Sequence, residues 1–117
     1  MKKKILCFDI DNVICKTIDS KYHLSVPIKK NIQIINYYYK KGFIIKIFTS
    51  RYMGRNKDVA TKARFQGYNF TKNQLLKWGV NYHKLIFGKP SYDIFVDDKA
   101  LFFKPNWILK IKKILKN

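Results

Sequence analysis

Lys4-Ile5-Leu6-Cys7-Phe8-Asp9-Ile10-Asp11 sets a short apolar run directly against two carboxylates two residues apart. Four apolar residues bounded by charge read as a buried strand, with the acidic pair where the chain leaves it. The arrangement recurs near the other end, where Asp93-Ile94-Phe95-Val96 runs into Asp97-Asp98. Two further strands are expected. One is Phe43–Phe48, ending in Thr49-Ser50-Arg51, and the other is Lys84–Phe87, running into Gly88-Lys89-Pro90. Between them the apolar spacing turns helical. Ile28, Ile32, Ile35, Tyr38 and Tyr39 mark a helix over 28–41, opened by Pro27 and stopped by Gly42. Two helices, 56–66 and 71–78, are expected on either side of Gly67, the second capped by Thr71 with Gln74 three residues on and closed by Gly79. A basic amphipathic helix is expected over 106–116, and Asn12–Val26 reads as a loop.

Strands separated by helices predict right-handed crossovers and a mostly parallel sheet, an α/β fold. In such sheets ligands bind beyond the carboxyl ends of the strands. Asp9, Thr49, Lys89 and Asp97 all fall there, and their convergence on one edge is stronger evidence than any one of them alone.

Composition narrows the chemistry. The chain has 117 residues, enough for one domain and no second. It carries 25 Lys+Arg against seven acidic residues, all aspartate, for a formal charge of +18. Four of those seven sit in the two clusters. Like charges so close repel and are driven to protonate unless something positive holds them. A hard divalent cation such as Mg²⁺, which takes oxygen ligands, is the expected occupant. The positive charge leaves a nucleic-acid partner open. Since only Arg51, Arg55 and Arg64 are arginine, it reads mainly as compositional bias on a solvated lysine surface. The apolar stretch after Met1-Lys2-Lys3-Lys4 ends at Asp9, too short for a signal core or a membrane span, so a cytoplasmic protein is expected. Cys7 and Cys15 lack the spacing of a metal pair and read as reduced thiols, Cys7 buried in its strand. His23 and His83 lack the spacing of a metal cluster.

Each strand-end residue has a chemical use. An aspartate can be the nucleophile that forms an aspartyl-phosphate, and a neighbouring carboxylate can move the proton for leaving group and water. Thr49 offers a hydroxyl to phosphate, and Lys89 a compact positive charge. Asp97 and Asp98 would complete a cation's shell.

The ordered set Asp9-Ile10-Asp11-Asn12-Val13, Thr49-Ser50-Arg51, Gly88-Lys89-Pro90 and Val96-Asp97-Asp98-Lys99 resembles the four motifs of the haloacid dehalogenase superfamily, over residues 4–99. The resemblance implies a Rossmann-like three-layer sandwich and a phosphatase that works through an aspartyl-phosphate. Asp9 would be the nucleophile, Asp11 the acid/base, and Thr49 and Lys89 the remaining catalytic residues. It also implies Mg²⁺ held by Asp9, the Asp11 carbonyl and Asp97, with Asp98 acting through water. Where the family often has glycine after the second aspartate this chain has Asn12, which tolerates the same left-handed turn.

The segments between Asp11 and Thr49 and between Ser50 and Gly88 are consumed by ordinary elements, so no cap domain is expected. The chain therefore resembles the small capless branch, which includes phosphatases of bacterial capsule and lipopolysaccharide sugar synthesis. A sugar phosphate or other small phosphometabolite is the implied substrate. Ser50, Arg51 and Arg55 are its expected contacts, and a homo-oligomer in which a neighbour covers the open site is the implied assembly. The alternatives are a polynucleotide-end phosphatase or a basic nucleic-acid-binding protein. A phospho-receiver domain ranks after them, because an acid/base over the nucleophile favours turnover. The chain has no P-loop pattern, which sets ATP-dependent kinases aside.

Overall fold

The computed structural model describes residues 4–116. In chain order the elements are β1 (Ile5–Phe8), β2 (Cys15–Lys16), β3 (Val26–Pro27), α1 (Lys29–Lys40), β4 (Ile44–Thr49), α2 (Ala60–Lys77), β5 (Lys84–Phe87) and α3 (Trp107–Ile114). Single 3₁₀ turns lie at Tyr22–Leu24 and Gly54–Asn56. β1, β4 and β5 form a parallel sheet in that order, with Phe8 opposite Ile47 and Thr49 opposite Phe87. The chain is thus an α/β protein in which the three strands of this sheet all run towards one edge, and β2 and β3 form a separate antiparallel ladder. Among the described residues no helix is long and apolar enough to cross a membrane.

Pleating sends alternate side chains to opposite faces. Phe8, Ile45, Ile47, Thr49, Leu85 and Phe87 share one face by register, and all six are buried. Ile32 and Ile35 of α1, with Ala63 and Leu75 of α2, belong to the same core. A fully buried isoleucine such as Ile35, Ile45 or Ile47 contributes about 1.5–3 kcal/mol relative to exposure. At the β1 end, Trp107 of α3 meets the Phe8 ring edge to face at 6.3 Å.

Several local expectations are corrected. Cys7 is exposed rather than buried, because it lies on the face opposite Phe8 and no strand flanks the outer edge of β1 among the described residues. The strand expected over Asp93–Val96 does not form. Its alternating pattern is present, but Ile94 and Val96 are 83% and 89% exposed and pair with nothing in the sheet. Pro27 does not open α1 either. It pairs with Cys15 in the short β2–β3 ladder that pins the Asn12–Val26 segment, and Ile28 takes the N-cap position.

The two helices expected around Gly67 are one, α2, running unbroken from Ala60 to Lys77. Thr71, read as a cap, is a buried residue in its interior. Gly67 has a different role: a Cβ there would overlap the ring of Tyr52, which lies flat against the helix. In an open helix Gly→Ala stabilises by about 1 kcal/mol. Here Gly67→Ala is expected to destabilise by about 1–3 kcal/mol, since the ring must move. Urea unfolding, read as a shift in midpoint at constant slope, checks the sign.

Candidate functional site

Asp9 follows the last residue of β1, and its carboxylate is oriented by its own turn: Oδ1 accepts from the Ile10 N–H at 2.8 Å. Asn12 then adopts φ 65°, the left-handed conformation that reverses the chain and returns Asp11 towards the sheet. Lys89 arrives from the neighbouring strand ends. Its N–H donates to the Thr49 carbonyl at 3.1 Å, and its ammonium reaches Asp9 Oδ2 at 3.2 Å. Asp9, Thr49 and Lys89 therefore meet at the carboxyl edge, as the sequence implied.

The two carboxylates have different partners. Burial pushes the Asp9 pKa up; the Lys89 charge and the Ile10 N–H pull it back without cancelling the rise. Lys89 is itself raised: burial works against the ammonium, but hydrogen bonding to Tyr92 and the Asp9 charge outweigh it. The lysine stays charged at neutral pH, yet it does not fully offset the desolvation of Asp9. Its ammonium also lies 5.4 Å from each of the Tyr92 and Phe95 ring centroids.

Asp11 is held by a buried fork. Arg51 donates from Nη2 to Oδ1 at 2.9 Å and from Nε to Oδ2 at 3.0 Å, and the Thr17 hydroxyl donates to Oδ1 at 2.6 Å. The other guanidinium nitrogen reaches Gln74 Oε1 at 2.6 Å and Thr71 Oγ1 at 3.5 Å. Arg51, expected to touch substrate, has no exposed surface. Its donors are turned inwards, and it acts on Asp11. The buried Thr49 hydroxyl accepts from the Arg51 N–H at 3.0 Å and so shapes the turn that carries the arginine. Ser50 accepts through its carbonyl from Met53 in the same turn. Arg55 is exposed and stacks over Tyr52 and Tyr22, at 4.8 and 5.5 Å.

The fourth motif does not join the others. Asp97 and Asp98 are exposed, and Asp97 Oδ1 accepts from the Lys99 N–H at 2.7 Å within its own turn. Among the described residues no three acidic, histidine or cysteine side chains gather closely enough to hold a metal ion. Asp9 and Asp11 are each engaged by a cation of the protein. The four aspartates thus do not fit Mg²⁺ in this arrangement.

The site defines an α/β protein with a strand-edge cluster of two carboxylates, a lysine and a buried arginine. The sequence matches no protein-family model and no curated protein. Solved structures do share the fold. A crystallised target protein from Vibrio cholerae is 23% identical over 96% of this chain and 98% of its own, with a TM-score of 0.78. A chain of the Pnkp1/Rnl/Hen1 complex is 14% identical over 96% of this chain and 33% of its own, at 0.54. A chain of the Pnkp1/Rnl/Hen1 RNA repair complex is 12% identical over 97% and 32%, at 0.52.

Sequence reading missed Thr17, Thr71 and Gln74 as supports of the site. Thr17 lies in a segment with no motif, Thr71 and Gln74 read as a helix cap, and only the fold brings them to the Asp11–Arg51 pair. Removing one partner of a buried pair costs about 3–5 kcal/mol, and because Asp11 keeps 21% of its side chain accessible the lower end applies. Arg51→Ala should therefore destabilise by about 3 kcal/mol, and Arg51→Lys should not restore it because an ammonium lacks the planar fork. Exposed Arg55→Ala should stay within about 0.5 kcal/mol. Denaturant midpoints for the three variants give the comparison.

Proposed function

We propose that the chain hydrolyses phosphomonoesters at Asp9, on a Rossmann-like scaffold of the haloacid dehalogenase type. The observation that supports this is the meeting of Asp9 with the Lys89 ammonium at 3.2 Å, beside the end of the Thr49 strand. A desolvated carboxylate at the open end of a parallel sheet, with one fixed cation, suits nucleophilic attack on an anionic ester. In the first step an Asp9 oxygen bonds to phosphorus, the bond from phosphorus to the ester oxygen breaks, and that oxygen leaves with a proton. Water then attacks the phosphorus, gives up a proton, and the bond from phosphorus to the Asp9 oxygen breaks, releasing inorganic phosphate and restoring the free carboxylate. Lys89 balances charge on the transferring group. Asp11, fixed by Arg51 and Thr17, is the group proposed to exchange protons with leaving oxygen and water.

Small phosphorylated metabolites, sugar phosphates among them, are the substrate class that follows from the sequence resemblance. The resemblance also implies Mg²⁺, which the four aspartates do not fit in this arrangement, and no step here is routed through it. The basic surface keeps a polynucleotide end as the second reading, since a +18 chain attracts a polyanion.

Asp9→Asn should lower kcat/KM by about a thousandfold or more, with the unfolding midpoint little changed, because an amide cannot form the acyl phosphate. Lys89→Ala should cost about a hundredfold. Release of inorganic phosphate from a panel of monoesters, with and without chelator, is the measurement. Undiminished turnover by Asp9→Asn would sink the proposal.

A further inference from the structure

Next to the Asp11–Arg51 pair, the Asp19–His23 turn, Tyr52, Arg55 and Phe70 of α2 line a half-open cavity of about 300 Å³. Tyr22 and Tyr52 both line it, with their rings 4.9 Å apart. Tyr52 holds φ 66°, a conformation a bulky residue keeps only where its surroundings over-determine it. Three flat groups line the opening: the Arg55 guanidinium, the His23 imidazole and the Phe70 ring, which is 40% exposed. Lys21 adds a cation. The Asp11–Arg51 pair packs behind the Tyr22 ring. The Arg51 guanidinium lies 4.7 Å from the Tyr22 ring centroid, and Gln74, which accepts from Arg51, donates to the Tyr22 carbonyl at 2.8 Å.

We infer that this cavity takes the base of a nucleoside phosphate, so that the leaving group at Asp9 is a nucleoside, either free or at the end of a strand. The chemistry rests on the proposed hydrolysis at Asp9; the binding does not. Flat aromatic and guanidinium surfaces favour a planar π system, which stacks on them whatever its hydrogen-bonding edge. A sugar can lay one C–H face on a ring, but a base is planar on both sides and meets the guanidinium and imidazole planes as well as the rings. The volume lies at the lower end of small-molecule sites, which suits a single base with its sugar, any further strand leaving through the open mouth. Lys21 and Arg55 against the single Asp19 carboxylate leave the lining net positive, which suits a phosphate group.

The test is equilibrium binding to the Asp9→Asn chain, by calorimetry at fixed salt, of adenosine monophosphate against ribose 5-phosphate. The nucleotide is expected to bind about tenfold more tightly, and Phe70→Ala in the same background should remove that ratio. Arg55→Ala should reduce the ratio as a second, independent variant. Phe65→Ala, on an exposed part of α2 outside the cavity, should leave it intact. Equal affinity for the two ligands, or loss of both alike in Phe70→Ala, overturns the inference. Absence of hydrolysis by the wild-type chain would defeat the reading of Asp9, while the affinity ratio still decides the cavity. Tighter binding of a short phosphorylated oligonucleotide that persists at high salt assigns the strand end, and parity with the mononucleotide assigns the free form.

Discussion

The guanidinium of Arg51 ties together three parts of the chain that are remote in sequence: the turn after β1 through Asp11, the β2 segment through Thr17, which shares the Asp11 oxygen, and the middle of α2 through Thr71 and Gln74. A charge with no exposed surface is tolerated only where its donors are met, and here each guanidinium nitrogen has a partner. The geometry is rigid on both sides of the pair. Thr49 fixes the arginine's turn from the end of β4, and Asn12 fixes the aspartate's turn in a left-handed conformation. The position of Asp11 relative to Asp9 is therefore a property of the core, although both residues stand in loops.

That rigidity separates two carboxylates which the sequence presents as near equivalents. Asp11 faces a planar, permanently charged fork. Asp9 faces a single ammonium on a flexible stem, with burial raising its proton affinity. Two acidic groups in unlike surroundings can take unlike roles, and the environment rather than the residue type assigns them. In a chain with seven acidic residues among so many lysines, the pairing of these two with one buried and one half-buried cation is also a matter of local structure. Net charge would allow any lysine to serve, but only Lys89 is carried there by the backbone link to Thr49.

The β1 edge is the least settled part of the sheet. Its outer side has no partner strand among the described residues, and an unpaired edge is a place where a further strand can add. The Asp93–Val96 run has the alternation a strand would need, and the rings of Phe95 and of the preceding Tyr92 already lie near Lys89. Yet its aliphatic side chains face solvent, and Asp97 and Asp98 stay outside the site. The carboxyl edge is thus assembled from three strands, and its positive charge comes from Lys89 and Arg51.

Local pattern was enough for much of this. The apolar runs of β1, β4 and β5, the amphipathic spacing of α1 and α3, and the placement of Asp9, Thr49 and Lys89 at strand ends were all legible. Each depends on side-chain period and on the direction imposed by right-handed crossovers. Asn12 in its left-handed turn was legible for the same local reason. The tertiary structure alone decided what depended on a distant partner. Gly67 looked like a break because glycine is a poor helix former, but the Tyr52 ring needed the space and the helix continued through it. Arg51 looked like a surface ligand-binding group until Thr71, Gln74 and Asp11 enclosed it. Residues 93–96 carried the pattern of a strand, but a strand exists only where another edge meets it, and a period-two sequence does not specify that edge.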